Sequence, residues 1–193
     1  MRIEICGGIA SGKTSLANYL GKAGYSVANE KLGSSSLIEE FYSNPELFTF
    51  ETEISFLIQH SVQIKKLRNS RRIACDYSFE QDYAYALNNL NAVELNAFVN
   101  VYDEIKKQLS EPDLIIRLEC STETLKKRIQ LRGREYEQMI DNRFLDSTNA
   151  LISQRLSNVN VPVILLDSEK NDFREANNFQ TVLKLIDEYL EHD

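Results

Sequence analysis

A glycine-rich segment near the start of the chain has the residue types of a phosphate-binding loop. Residues 7–14 match the pattern G-x-x-x-x-G-K-[ST], with a short apolar run before them and a helical pattern after them. Such a loop curls its backbone N–H groups around one anion, and the following helix adds the positive end of its dipole. Lys13 would approach the β- and γ-phosphates, and the Thr14 hydroxyl would be a ligand for Mg²⁺. The segment therefore predicts a site for a nucleoside triphosphate, formed by Gly7, Gly8, Ile9, Ala10, Ser11, Gly12, Lys13, Thr14 and Ser15.

Acidic and basic residues further along the chain could complete a phosphoryl-transfer site. Asp76 ends an apolar run, where P-loop proteins place the acid that holds Mg²⁺ directly or through water. Glu30 also follows a short apolar run, and its carboxylate could take a proton from an attacking hydroxyl. Arg128, Arg132 and Arg134 lie on or just after a helical segment, and their guanidinium groups could stabilise the charge of the transition state.

The alternation of apolar runs and helical patterns indicates an α/β protein with a parallel sheet. Ligands of such sheets bind outside the carboxyl ends of the strands, which would place Glu30 and Asp76 on the same edge as the phosphate-binding loop. The predicted strands are centred on Ile3–Ile5 and on 25–29, 71–76, 114–119 and 161–166; the longer predicted helices span 47–69, 80–89, 94–109, 135–156 and 173–190.

Composition limits the possible partners and compartments. The chain has 193 residues, enough for one domain with a core, and a net charge of -7, which disfavours a nucleic-acid partner. Its longest aliphatic run, 163–166, is far shorter than a membrane span. The sequence starts directly with the first strand, so we expect no signal peptide and no membrane partner. The odd number of cysteines, Cys6, Cys75 and Cys120, suggests reduced thiols in a cytoplasmic protein.

Four motifs in fixed order resemble the deoxynucleoside kinase family over nearly the whole chain. They are the phosphate-binding loop with Glu30 after the second strand; Tyr-Ser-Asn-Pro-Glu-Leu-Phe-Thr-Phe-Glu-Thr-Glu at 42–53; Asp-Tyr-Ser at 76–78 with Asp82 four residues later; and Arg-x-x-x-Arg-Gly-Arg-x-x-Glu at 128–137. The resemblance implies a P-loop kinase fold, an α/β domain spanning 1–193. Its sheet would have five parallel strands in the order 2-3-1-4-5, with helices on both faces and an Arg-rich lid at about 128–140.

The resemblance also implies an activity, the transfer of the γ-phosphoryl group of ATP to the 5′-hydroxyl of a deoxynucleoside in nucleotide salvage, with Mg²⁺. By position, Glu30 resembles the base that activates this hydroxyl, and Tyr42 the tyrosine that binds the 3′-hydroxyl. Glu53 and Asp82 resemble the pair that reads the nucleobase. Lys13 and the three arginines would be catalytic through their charge. The family is commonly dimeric, so the resemblance alone predicts a homodimer.

Three positions depart from the family pattern. Tyr77 replaces an arginine that helps to hold the acceptor, and His60 stands where some members have an arginine near the base; both are expected to contact the substrate. Arg143 stands where many members are expected to have a second acid for the 3′-hydroxyl.

Glu53 stands where the family has Gln, and this difference leads to a hypothesis about the base. An ionised carboxylate only accepts hydrogen bonds, and guanine presents two adjacent N–H donors, so Glu53 favours deoxyguanosine. The neighbouring Asp82 could keep Glu53 protonated, and a protonated Glu53 would favour deoxyadenosine instead.

Two other functions remain compatible with the sequence. A nucleoside monophosphate kinase, similar to thymidylate kinase, would need a cation for the acceptor phosphate, which Arg143 could supply. A non-catalytic nucleotide-binding regulator would bind nucleotide without forming product, and the changes at Tyr77 and Arg143 would then be signs of lost catalysis.

Overall fold

Five parallel strands form the centre of the computed structural model, which describes residues 1–30, 36–173 and 175–190. The strand order is β2-β3-β1-β4-β5, which confirms the predicted order 2-3-1-4-5. The register places Arg2 beside Ile73 and Ile3 beside Leu114, so β1 is the central strand. The strands are β1 (Arg2–Gly7), β2 (Ser26–Ala28), β3 (Ile73–Cys75), β4 (Leu114–Glu119) and β5 (Val163–Asp167).

Helices cover both faces of the sheet, as predicted for a P-loop kinase fold. Ile3 and Ile5 pack with α1 and α8 on one face, whereas Cys6 and Ile115 pack with α7 on the other. The helices are α1 (Lys13–Lys22), α2 (Ser36–Ser43), α3 (Pro45–Lys66), α4 (Phe79–Asn89), α5 (Ala92–Gln108), α6 (Thr122–Arg132), α7 (Asn142–Leu156) and α8 (Ala176–Leu190).

The prediction of one continuous helix over 135–156 is wrong. Residues Glu135–Glu137 form a single 3-10 turn, and α7 begins only at Asn142. Asp141 is the N-cap of α7, and its side chain accepts a hydrogen bond from the Phe144 N–H at 2.7 Å. Side chains of this kind favour a helix start, because they satisfy N–H groups that lack partners within the helix.

The ends of three neighbouring strands bring the predicted site residues to one edge. The phosphate-binding loop follows β1, Glu30 follows β2 and Asp76 follows β3. The Asp76 N–H donates to the Ala28 carbonyl at 2.9 Å, which continues the β2–β3 pairing up to the site. The topology therefore positions a nucleotide loop and two acids together, at the edge predicted from the sequence.

The three cysteines are free thiols in this structure. Cys6 and Cys75 are buried free thiols, whereas Cys120 is only half-buried. Across 1–30, 36–173 and 175–190, none of the helices combines the length and the apolar character needed to span a bilayer.

Candidate active site

The phosphate-binding loop connects β1 to α1 through backbone in left-handed conformations. Ala10 has φ 63° and Gly12 has φ 105°, and their neighbours return to ordinary geometry. No side chain caps the first turn of α1 and no acid lies in it, so the N–H groups of this turn are available to an anion. The loop therefore has the backbone geometry of a phosphate cradle.

Lys13 is held over this loop by the loop itself. Its Nζ donates to the Gly7 carbonyl at 2.9 Å and to the Gly8 carbonyl at 3.0 Å. The Gly7 N–H in turn donates to Oε1 of the buried Gln81 on α4 at 2.9 Å. Gln81 was not singled out from the sequence, because a single glutamine within a helical segment matches no functional sequence motif.

Asp76 and Thr14 form a pair suited to a divalent cation. Asp76 is 2% exposed, and its Oδ1 has no hydrogen-bond partner within the described part of the chain. Burial raises the pKa of Asp76 to about 6, against the opposing effects of the Lys13 charge and a hydrogen bond with Thr14. A buried carboxylate oxygen without a partner is costly, and a cation held between Asp76, Thr14 and phosphate oxygens would stabilise it. These residues fit Mg²⁺.

A cavity of about 570 Å³ extends from the phosphate-binding loop to the middle of α3, where Thr52, Glu53 and Phe56 line it. Its volume lies within the range of about 300 to 1,000 Å³ that is usual for small-molecule sites. The predicted residues that line it are Ile9, Ala10, Ser11, Gly12, Lys13, Thr14, Ser15, Glu30, Tyr42, Glu53, Asp82, Arg128, Arg132 and Arg134. Gly7, Gly8 and Asp76 lie behind this lining.

Glu30 follows β2, lines the cavity and faces a buried histidine. Its side chain is 20% exposed, and its Oε1 lies 3.7 Å from Nε2 of His60. Burial raises the pKa of Glu30 above its usual range, while the charges of His60 and Lys13 oppose this shift. A carboxylate with a raised pKa is a better proton acceptor for a hydroxyl, which suits the predicted catalytic base.

The far end of the cavity contains two buried carboxyl groups on different helices. Asp82 of α4 is paired with Nδ1 of His60 at 2.8 Å. Glu53 of α3 accepts a hydrogen bond from the Asn89 side-chain amide at 2.6 Å. Burial raises the pKa of Glu53 to about 8; the Asn89 hydrogen bond opposes this shift, and the Asp82 and Glu30 charges reinforce it. Glu53 is therefore mainly protonated at neutral pH.

The three predicted arginines have two different sets of partners. Arg128 donates to the Ser11 carbonyl at 3.2 Å and to the Ser168 carbonyl at 2.6 Å, which ties α6 to the phosphate-binding loop. Arg132 and Arg134 both pair with the buried carboxylate of Glu137, Arg134 at 3.1 Å. All three thus surround the cavity, and a movement of this segment as a lid stays a prediction.

Glu137 is a site residue to which the sequence analysis gave no role. It is 3% exposed, lines the cavity, and helps burial to raise the pKa of Tyr42. Tyr42 packs against Tyr136 with ring centroids 5.2 Å apart, so Tyr42 and Glu137 lie at the same side of the cavity. Its position at the end of the Arg-x-x-x-Arg-Gly-Arg-x-x-Glu motif was the available signal.

Three residues singled out from the sequence lie outside the lining of the cavity, and their contacts with a substrate stay predictions. Tyr77 is fully buried and does not line the cavity; its ring stacks on His60 and its hydroxyl donates to the His60 carbonyl at 3.0 Å. His60 is also outside the lining, behind Asp82 and Glu30. Arg143 is exposed in the first turn of α7, next to the lining residue Phe144, and is not itself part of the lining.

A second cavity of about 400 Å³ opens on the outer side of Arg128 and the loop. Leu131, Ser168, Glu169, Asn171 and Phe173 contribute to its walls, together with residues 10–12. A nucleotide with its phosphates in the loop could place its base here, on the opposite side of the phosphates from Glu30.

Comparisons with known proteins agree with this arrangement. The profile of the deoxynucleoside kinase family matches residues 3–191. The chain belongs to this family. It is 28% identical to the deoxyguanosine kinase of Bacillus subtilis over 182 residues, covering 89% of this chain and 88% of that protein. It is 27% identical to the deoxyadenosine kinase of Lactobacillus acidophilus over 205 residues, covering 97% and 95%.

A solved deoxyadenosine kinase from M. mycoides with bound dCTP has the same fold. Its TM-score is 0.82 at 25% identity, with 97% of this chain and all of that chain covered. Kinases named for deoxycytidine are also among the relatives.

The deoxynucleoside kinase family defines the chemistry at this site. Its members are enzymes that transfer a phosphoryl group to a deoxynucleoside, with a nucleotide such as ATP as the donor. The loop over residues 7–15 is the element of this deoxynucleoside kinase that fits the donor phosphates, and the cavity beyond Glu30 is large enough for the acceptor.

Proposed function

We propose that this chain transfers the γ-phosphoryl group of ATP to the 5′-hydroxyl of a purine deoxynucleoside in nucleotide salvage. The observation that carries the proposal is one continuous cavity that runs from Lys13 past Glu30 to Glu53 and Asp82. A nucleoside with its base between Glu53 and Asp82 would direct its sugar toward Glu30, Tyr42 and the loop.

The residues divide the work of phosphoryl transfer between them. Glu30 accepts the proton of the 5′-hydroxyl as that oxygen attacks the γ-phosphorus atom, while the bond from this phosphorus to the β–γ bridging oxygen breaks and ADP leaves. Lys13 and the guanidinium groups of Arg128, Arg132 and Arg134 stabilise charge on the phosphoryl oxygens, which is where a loose transition state concentrates it. Mg²⁺, held by Thr14 and Asp76, would neutralise charge on the donor phosphates. Tyr42 and Glu137 accept or donate hydrogen bonds at the sugar 3′-hydroxyl.

The charge at the acceptor end favours an uncharged acceptor over a nucleoside monophosphate. Glu30 and Asp82 are carboxylates with one buried partner between them, His60. A phosphate brought to this end would meet like charge, and Arg143, the cation considered for it, is exposed and not part of the cavity lining. These contacts support a nucleoside acceptor and do not support the thymidylate kinase-like alternative.

The protonation of Glu53 favours deoxyadenosine among the purines. A protonated carboxyl donates one hydrogen bond and accepts another, which matches N1 and the 6-amino group of adenine. Guanine would need the ionised form, and ionising a group with a pKa of about 8 at pH 7 costs about 1.4 kcal/mol, or about tenfold in affinity. We infer that the enzyme prefers deoxyadenosine to deoxyguanosine by about this factor.

A steady-state assay with ATP and Mg²⁺ tests the proposal across deoxynucleosides, ribonucleosides and deoxynucleoside monophosphates, with product masses checked. We expect turnover on deoxyadenosine and slower turnover on deoxyguanosine. Turnover on a monophosphate alone would contradict the nucleoside acceptor. Nucleotide binding with no product from any acceptor would support the regulator.

A further inference from the structure

The buried imidazole of His60 connects the two ends of the acceptor site. His60 lies on α3 and is 1% exposed. Its Nδ1 lies 2.8 Å from Oδ2 of Asp82 on α4, and its Nε2 lies 3.7 Å from Oε1 of Glu30 in the segment after β2. One ring therefore contacts a group at the base end of the cavity and approaches the group at the reacting end.

The ring is fixed in one orientation. It stacks on Tyr77 with centroids 3.7 Å apart and planes 6° from parallel, and the Tyr77 hydroxyl binds the His60 carbonyl. Phe56 lies nearby at 5.9 Å between centroids. Rotation of the ring would break both the stacking and the Asp82 hydrogen bond, so the direction of Nε2 toward Glu30 is set by the fold.

The contact with Glu30 is incomplete in this structure. Nε2 is buried and has no hydrogen-bond partner among the residues described. A buried polar nitrogen without a partner is destabilising. An approach of the Glu30 carboxylate by less than about 1 Å would complete a hydrogen bond of ordinary length and remove this cost. Burial alone would favour a neutral imidazole, but the neighbouring Asp82 and Glu30 carboxylates outweigh it and raise the His60 pKa.

We propose that His60 is a positioning residue that couples recognition of the base to the orientation of Glu30. Asp82 holds the ring through Nδ1, and Nε2 directs the Glu30 carboxylate toward the 5′-hydroxyl. This inference depends on the proposed function, in which Asp82 contacts the base and Glu30 takes the proton. It also gives a structural role to Tyr77, the residue that replaces an arginine in the family pattern: its ring and hydroxyl hold the His60 side chain in place.

Two substitutions separate the two ring nitrogens. In His60→Asn the side-chain amide can occupy the Nδ1 position but cannot reach Glu30. In His60→Gln the longer amide can reach the Nε2 position but leaves Asp82 without its partner. Ser61→Ala, which changes a buried side chain next to His60 on α3, is the matched control for general loosening of the helix.

Deoxynucleoside affinity by calorimetry and kcat at saturating substrate give the decisive comparison. We expect His60→Asn to keep the affinity within about twofold and to lose about 10- to 100-fold in kcat, the usual effect of removing a group that orients a reactive one. We expect His60→Gln to lose affinity and to keep more of kcat, and Ser61→Ala to match wild type in both. Parallel losses in the two His60 variants, or a wild-type kcat in His60→Asn, would overturn the coupling.

A spectroscopic measurement on the folded enzyme keeps the inference testable if both variants fail to fold. The chain has two histidines, so ¹⁵N-histidine labelling gives a simple spectrum. Glu30→Gln should shift the Nε2 signal of His60 and leave its Nδ1 signal in place; no shift at Nε2 would overturn the inference. If wild type phosphorylates no deoxynucleoside, the proposed function fails. If wild type is active and the coupling tests fail, only the role of His60 is wrong.

Discussion

The buried carboxyl of Glu53 should make the stability of the protein depend on pH. Its pKa is about 8 in the folded protein, against an ordinary value of 4.5. Between these values the folded protein keeps a proton that the unfolded chain has lost, so the free energy of unfolding falls as pH rises and the loss is complete only above about pH 8. The slope approaches 1.4 kcal/mol per pH unit, which amounts to roughly 2 kcal/mol between pH 6 and pH 8.

The substitution Glu53→Gln removes this dependence because the amide is neutral at every pH and has nearly the same shape. The variant should gain roughly 2 kcal/mol over wild type when the pH is raised from 6 to 8. With a urea m-value of about 2 kcal/mol per molar, this is a change of about 1 M in the difference between the two unfolding midpoints.

The matched control is Glu51→Gln, which removes an exposed carboxyl two residues away on α3. Its difference from wild type should stay constant, because a solvated side chain has a similar environment in the folded and unfolded protein. A constant difference for Glu53→Gln as well would show that Glu53 is ionised in the folded protein at neutral pH. That result would refute both the pKa argument and the preference for deoxyadenosine built on it.

Three further predictions concern catalysis and recognition. Glu30→Gln should lower kcat by about 10²- to 10⁴-fold in the steady-state assay while titration with a non-hydrolysable ATP analogue still shows binding; full activity would exclude Glu30 as the base. Tyr42→Phe should raise KM for deoxyadenosine about fivefold, because it removes a hydrogen bond to the 3′-hydroxyl. KM for 2′,3′-dideoxyadenosine should not change, because this substrate has no 3′-hydroxyl. The ratio of kcat/KM for deoxyadenosine over deoxyguanosine should fall between pH 7 and pH 9 as Glu53 loses its proton; a ratio that does not change with pH would mean that Glu53 does not discriminate by protonation.

The sheet and the nucleotide loop could be predicted because their signals are local. The apolar runs alternate with amphipathic segments, and the G-x-x-x-x-G-K-[ST] pattern contains in eight residues everything needed to specify a phosphate cradle. The strand order and the shared edge of Glu30 and Asp76 follow from general rules for parallel sheets.

Glu137 was not singled out from the sequence because the break between residues 137 and 142 was not predicted. A continuous helix over 135–156 gives no reason to single out Glu137. The 3-10 turn and the Asp141 cap separate Glu137 from α7, and its carboxylate pairs with Arg132 and Arg134 inside the cavity wall. Helix propensity gives no warning of this, since Glu favours helices in general and the break depends on the N-cap formed by Asp141.

The role of position 60 could not be obtained from sequence because it depends on contacts between three segments. The proposed positioning role of His60 requires an aromatic ring at position 77 that stacks on the imidazole. It also requires acids at positions 30 and 82, one near each ring nitrogen. None of these three residues is adjacent to position 60 along the chain. Considered alone, a histidine on a helix and a tyrosine after a strand look like separate departures from the family pattern, whereas the structure shows that they are stacked on each other.

The charged residues along the cavity divide it into a cationic end and an acidic end. Lys13 and the arginines of α6 and the following turn lie at the loop end, and Glu30, Glu53 and Asp82 lie at the inner end. A polyanion is attracted by the first group and repelled by the second, and burial of the side chains strengthens both effects. The acceptor end therefore discriminates against phosphate through the carboxylates of Glu30 and Asp82, because Glu53 is mainly protonated at neutral pH. The same burial that raises the pKa of Glu53 limits the total charge that the three carboxyl groups place there.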